Sequence, residues 1–211
     1  MVKIIAIDGP ASVGKSTLAK MLAKKYKSPI LFSGKLYRAV AIEIINRKVS
    51  YNNIQEILKC VDYINMRKLD SKKLYSSDVD NASSIIAAKK QLREKLIKFQ
   101  RTFPKYYCKN SKFAIVEGRD IGTVIFPKAD YKIFLWADAA IRAKRRCMQI
   151  KKNGTKPAYN RILREINSRD RKDLTRKIAP LMPASNSVLL DTSYIDIEQA
   201  FNAINKVILN T

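Results

Sequence analysis

Gly9-Pro10-Ala11-Ser12-Val13-Gly14-Lys15-Ser16, with Thr17 next in line, fits the pattern G-x-x-x-x-G-K-[ST] at every fixed position. The apolar run Lys3–Asp8 reads as a strand that delivers the chain to this loop. A helix over Ser16–Tyr26, with Leu18, Ala19, Leu22 and Ala23 on one face, carries it away. In that context the loop is a phosphate cradle. Gly9 and Gly14 let the backbone wrap closely, so successive N–H groups and the positive end of the helix face an anion. Lys15 is placed for the β- and γ-phosphates of a nucleoside triphosphate, and the Ser16 hydroxyl for Mg²⁺. The residues Gly9–Thr17 thus imply ATP or GTP binding, without yet specifying a reaction.

Outward from the loop, short apolar runs alternate with longer stretches of helical spacing, the pattern of a parallel sheet covered by helices. Strands are predicted over Lys3–Asp8, Ile30–Phe32, Phe113–Glu117, Tyr131–Trp136 and Val188–Asp191, each read as buried on both faces. Helices are predicted over Ser16–Tyr26, Gly34–Arg47, Val79–Phe103, Ala140–Lys152, Tyr159–Arg171 and Ile197–Leu209, the last opened by a capping box of Asp196 and Gln199. Between Ser50 and Val79 the pattern weakens to polar residues with two short candidate strands, an inserted substructure rather than a linker. The fold class is α/β: a five-stranded parallel sheet flanked by helices. At 211 residues the chain makes one domain.

Composition narrows the chemistry. Histidine is absent, which removes imidazole bases, His-containing triads and His-ligated zinc. Cys60, Cys108 and Cys147 are too far apart for a metal knuckle and odd in number, so a reducing compartment is expected. Asp8 cuts the first apolar run far short of a signal-peptide core, and the apolar stretch Ile133–Ala137 cannot span a bilayer. The expectation is a soluble, cytoplasmic protein with no membrane partner. Lys+Arg 42 against Asp+Glu 18 gives +24, which favours an anionic partner. From Arg142 to Lys177 there are fourteen Lys/Arg against three Asp/Glu. Such a stretch is either a solvated helical face or a surface that gathers phosphates; its arginines, which fork onto phosphate oxygens, suit the second.

Three further clusters bear on the acceptor. They are Phe32-Ser33-Gly34-Lys35-Leu36-Tyr37-Arg38, then Glu117-Gly118-Arg119-Asp120-Ile121-Gly122-Thr123, then Arg169-Asp170-Arg171-Lys172-Asp173-Leu174-Thr175-Arg176 running into Ala179-Pro180-Leu181. Together with the Gly9–Thr17 loop, Asn81-Ala82-Ser83-Ser84 and Arg93, in this order along the whole chain, they resemble the bacterial cytidylate (CMP) kinase family. The resemblance implies phosphoryl transfer from ATP to CMP and dCMP with Mg²⁺, by a monomer with no specific nucleic-acid partner. It also implies a core of about 1–33, 104–141 and 178–211, a monophosphate-binding insertion of about 34–103, and a lid with its adjoining helix at about 142–177.

Family positions assign Ser33, Gly34, Tyr37 and Arg38 to the acceptor, with Arg38, Arg119 and Arg176 expected at acceptor or transferring phosphates; for Arg176 the sugar and base are the alternative. Arg142, Arg145 and Arg146, at i, i+3 and i+4, share one face of the lid helix and are expected to close over the γ-phosphate. Cytosine presents an amino donor beside two acceptors, so its pocket needs one carboxylate and at least one donor. Asp120, Arg93 and Ser84 match the family positions that supply them. For Asp120 a salt bridge to Arg119 is the alternative. Arg169 and Asp173 match positions that hold the ribose, and are otherwise a surface ion pair at i, i+4. The attacking phosphate oxygen is already largely deprotonated at neutral pH, so no catalytic base is required.

The chain departs from the family pattern in three places. Phe32 stands where an Asp is usual, removing a carboxylate expected near the metal; Glu117 is then a candidate to hold Mg²⁺ through water. The insertion is shorter than in longer members, and Tyr75 stands where many have arginine. Other readings are a P-loop kinase for a different small acceptor, or a nucleic-acid-binding P-loop protein. The second has only the net charge in its favour, since no basic platform is interleaved with aromatics.

Overall fold

The computed structural model describes residues 2–64, 69, 74, 76–152, 154 and 156–210. It divides into two compact units, residues 1–31 with 104–211, and residues 32–103.

The first unit carries the sheet. Strands β1 (Lys3–Asp8), β2 (Ile30–Phe32, whose last residue opens the second unit), β3 (Phe113–Glu117), β4 (Tyr131–Trp136) and β5 (Val188–Asp191) run over the predicted residues. Their order is β2-β3-β1-β4-β5, and β1 pairs in parallel with β3 and β4, as β4 does with β5. The central strands bury both faces: Ile5, Ala6 and Ile7 of β1 and Ala114, Ile115 and Val116 of β3 are fully covered. β5 differs from the expectation. It alternates, with Leu189 and Asp191 exposed, because it is an edge strand with one face open to water.

Helix α1 (Lys15–Tyr26) follows the phosphate loop and packs Leu18, Ala19 and Leu22 into the core. The last helix, Ile197–Leu209, buries Ala200, Ile204 and Ile208 and opens with the expected capping box. Tyr26, Phe113 and Tyr131 stack edge to face at the base of the sheet. Two basic helices, Ala139–Lys152 and Tyr159–Thr175, form a hairpin around Ala143, Ile162 and Ile166, with Cys147 packed against them.

The second unit is helical: α2 (Ser33–Asn46), α3 (Ile54–Cys60) with a 3-10 turn over Val61–Tyr63, α4 (Ser77–Ile86) and α5 (Lys90–Tyr107), which runs on past the boundary. In the stretch where two short strands were expected, the described residues include α3, nucleated by the Asn53 side chain accepting from the Glu56 N–H (3.2 Å); residues 65–68, 70–73 and 75 of that stretch lie outside the described residues. One expectation is corrected here. The single helix expected over Val79–Phe103 is two, broken at residues 87–89. Arg93 reaches back from α5 and donates to the Ala87 carbonyl (3.1 Å), satisfying a helix-end acceptor that an unbroken helix would satisfy itself. In chain order the two basic helices are α6 and α7, and the last helix is α8. Tyr75 lies outside the described residues.

Candidate active site

β1 and β3 end side by side, with Ile7 opposite Glu117 and the Gly118 N–H donating to the Ile7 carbonyl (2.9 Å). This carboxyl edge is where a parallel sheet offers its binding crevice. The phosphate loop turns there through three left-handed residues, Gly9 (φ 148°), Ser12 (φ 59°) and Gly14 (φ 103°). A Cβ on Gly9 would stand 2.3 Å from the Leu135 carbonyl oxygen, so only glycine fits. The loop's carbonyls are held by the protein. Pro10 accepts from Lys15 Nζ (2.6 Å), Ala11 from Arg142 Nη1 (3.1 Å) and Val13 from the Thr192 hydroxyl (3.4 Å). Such an arrangement leaves the N–H groups for an anion, joined by the first donors of α1.

Lys15 is buried, its Nζ 3.8 Å from Glu117 Oε1. Burial, with Arg119 adding repulsion, pushes its pKa down to about 7 against the pull of Glu117 and Asp8. Ser16 donates its hydroxyl to Glu117 Oε2 at 3.0 Å. This hydroxyl–carboxylate pair is a hard-oxygen donor set that fits Mg²⁺. Among the described residues no cluster of three or more acidic, His or Cys side chains would build a complete protein cage, so phosphate oxygens and water would fill the remaining positions.

The Glu117–Asp120 segment and α7 meet in a charged cluster. Arg119 donates from Nε to Asp173 Oδ2 (2.9 Å). Arg176 pairs with Asp120 (Nη2 to Oδ1, 3.6 Å) and with Asp173 (Nη1 to Oδ1, 3.9 Å), and its Nε donates to the Ala179 carbonyl. Burial raises the Asp173 carboxyl, but Arg119, Arg169 and Arg176 outweigh it and hold the group below its ordinary value. The charge of Arg119 is conversely opposed by burial and secured by Asp173 and Glu117. Asp120 is thus ion-paired with Arg176, and Arg119 with Asp173.

Two buried carboxylates here were not singled out from sequence. Asp8 accepts from the backbone N–H groups of Ile121 (2.8 Å) and Gly122 (2.7 Å), the start of a wide, π-type turn over Ile121–Ile125. Burial pushes its carboxyl up to about 6 despite both donors. Asp170 Oδ2 accepts from Arg142 Nη2 at 2.5 Å.

The α6 arginines, at i, i+3 and i+4 of one helix, take different partners. Arg142, 1% exposed, turns inward, and besides Ala11 and Asp170 its Nε meets the Ala137 carbonyl (2.7 Å). Arg145 bonds the Thr192 hydroxyl (3.1 Å) and the Ile195 carbonyl (3.4 Å) after β5. Arg146 is half-buried. Arg142 thus meets the phosphate loop and α7, and Arg145 the loop between β5 and α8.

The remaining candidates lie in the second unit. Ser33 is buried at the start of α2, and Gly34 is exposed with open space where a Cβ would stand. Tyr37 is buried, with the Arg93 guanidinium 5.8 Å from its ring centroid. Arg38 donates to the Leu74 carbonyl (2.6 Å) and pairs with Asp80. Ser84 is half-buried on α4. Phe32 supplies no carboxylate; the Lys35 ammonium lies 4.6 Å from its ring centroid.

A cradle shaped for polyphosphate, faced by paired arginines and carboxylates in a chain without histidine, defines a P-loop nucleotide-using transferase. The family model described as cytidylate kinase matches residues 5–210, and the chain belongs to the cytidylate kinase family; it is an enzyme of the nucleoside monophosphate kinase class. A cytidylate kinase of Acidiphilium cryptum is 39% identical over 97% of this chain and 96% of its own length. One from Fusobacterium nucleatum is 37% identical over the same shares of the two chains. A crystal structure of an uncharacterized protein from Eubacterium ventriosum covers all of both chains with a TM-score of 0.56 at 16% identity, a likeness of fold. Among the described residues, no helix is long and apolar enough to cross a membrane.

Proposed function

We propose that this enzyme transfers the terminal phosphoryl group of ATP directly, in line, to CMP and dCMP. The observation that carries the reading is that one sheet edge holds both the Gly9–Thr17 cradle and a buried carboxylate, Asp120, paired with Arg176. Donor and acceptor bring about six negative charges, and the chemistry asks mainly for positioning and neutralisation. Lys15 binds the β/γ-phosphates. Arg119 and Arg176 neutralise the acceptor side, with Arg38 as the insertion's contribution. The α6 arginines, Arg142, Arg145 and Arg146, are assigned to the transferred phosphate. Mg²⁺, when bound by Ser16 and by Glu117 through water, supplies further charge neutralisation between the phosphates.

Base choice falls to Asp120. Its carboxylate accepts the cytosine 4-amino group, and Arg93 and Ser84 supply donors for N3 and O2. Uracil would place an oxygen against that carboxylate, a mismatch that can cost up to ~10⁴-fold. Asp173, with Arg169, is assigned to the ribose. Residues 34–103 then form the monophosphate-binding insertion and 142–177 the lid, in a cytoplasmic monomer. The +24 charge serves phosphate-bearing substrates rather than nucleic acid. A coupled assay of ADP release tests this with CMP, dCMP, UMP and AMP as acceptors. Turnover of the two cytidine nucleotides well above the others is expected; equal use of UMP would refute the assigned base pocket.

A further inference from the structure

The acceptor segment is pinned to β1 at two points. Gly118 donates its N–H to the Ile7 carbonyl, and Ile121 and Gly122 donate theirs to the two oxygens of Asp8. Arg119 and Asp120 stand between the pins. Asp120 also occupies the N-cap position of the turn over Ile121–Ile125, and its carbonyl accepts from the Val124 and Ile125 N–H groups (2.9 and 3.2 Å). An aspartate at an N-cap usually spends its carboxylate on the first N–H groups of its own turn. Asp120 makes no such bond; Asp8, 4% exposed and 113 residues away from Ile121 in sequence, accepts instead from the first two N–H groups of the turn, Ile121 and Gly122. Asp120 is instead within ion-pair reach of Arg176. The residue that follows Asp8, Gly9, passes so close to β4 that a Cβ there would stand 2.3 Å from the Leu135 carbonyl oxygen.

We propose that Asp8 is a positioning residue for acceptor recognition: by capping the Ile121–Ile125 turn from the end of β1, it keeps the Asp120 carboxylate out of its own turn and available to the acceptor base. This rests on the reading of Asp120 as the cytosine contact. Asp8 touches no substrate; it acts through Asp120 and ties the acceptor segment to the strand that carries the phosphate loop.

Asp8→Asn keeps the shape but offers one acceptor oxygen to two N–H groups, so one donor becomes free to draw in Asp120. The expected signature is selective: KM for CMP rises about tenfold and the CMP-to-UMP ratio of kcat/KM falls about tenfold, while KM for ATP stays within about twofold. A generally loosened site would instead lower kcat and weaken both substrates alike. Gly122→Ala is the second variant. Its Cβ would stand 3.2 Å from Ala184 Cβ and 3.4 Å from Asp8 Oδ2, pushing the turn off Asp8 without altering the carboxylate, and the same signature is expected. If wild type prefers CMP and the folded variants keep both the ratio and KM for CMP within about twofold, Asp8 is only structural and the proposal is overturned. If wild type shows no preference for CMP, the reading of Asp120 has failed and the proposal falls with it.

Discussion

Nucleotide binding should draw a proton from solvent onto Lys15. In the free enzyme burial and Arg119 lower the ammonium's pKa to about 7. At about pH 7.5 roughly three quarters of the molecules then carry a neutral amine, by the ordinary titration relation. A bound polyphosphate places several negative charges at hydrogen-bond distance from Nζ and restores the charged form. Binding is therefore accompanied by uptake of about 0.7 proton at that pH, falling towards zero near pH 5–6, where Lys15 is already protonated. Titration calorimetry with ADP, in buffers of different ionisation enthalpy, reads the number directly from the slope of observed heat against buffer enthalpy. Lys15→Arg, charged at every accessible pH, should bind with that uptake abolished. A flat slope for wild type, or the same slope for Lys15→Arg, would refute the account of Lys15 as a buried, partly neutral amine. The same shift has a sign for stability: between about pH 7 and 10.5 the unfolded chain binds the extra proton, so the free enzyme gains stability as pH rises through that window.

Asp8 acts in the opposite sense. Its folded pKa of about 6 lies above the ordinary 3.8, so its contribution is fully present below about pH 4 and is lost as pH rises through about 6, costing on the order of 3 kcal/mol. Urea unfolding of wild type and Asp8→Asn across pH 4–7 should show the difference narrowing or reversing; parallel profiles would contradict the shift. Gly9→Ala drives a Cβ to 2.3 Å from the Leu135 carbonyl at a positive φ, and a displaced cradle should cut kcat/KM by about 100-fold or more, measured with the protein still folded by circular dichroism. Arg142→Met leaves Asp170 buried without its cation and should cost about 3–5 kcal/mol in chemical denaturation, while Arg142→Met with Asp170→Leu should recover most of it.

What sequence could reveal followed from how local each cause is. The five strands were legible because runs such as Ile4-Ile5-Ala6-Ile7 are bounded by turn residues, and the α8 capping box because its two partners are three residues apart. The phosphate loop was legible for the same reason: its glycines, lysine and serine act within eight residues. The break after α4 was not, since residues 87–89 contain neither Gly nor Pro and the bond that closes it comes from Arg93 on the next helix. Nor were the inward turn of Arg142, whose partner Ala11 is 131 residues away, and the capping of Ile121 and Gly122 by Asp8. Charged residues crowd the stretch from Arg142 to Lys177, and periodicity places them on faces without saying which face meets the phosphate loop. Only folding decides that Arg119 pairs with Asp173 and Arg176 with Asp120.

The base-reading role of Asp120 is tested most directly by kcat/KM for CMP and UMP in wild type and in Asp120→Asn. An amide at this position can turn a donor towards the uracil oxygen, so the wild-type preference for CMP, on the order of 10³–10⁴, should collapse by about 100-fold or more in the variant, with KM for ATP little changed. A wild type indifferent to the base, or a variant that retains the full preference, would contradict the account.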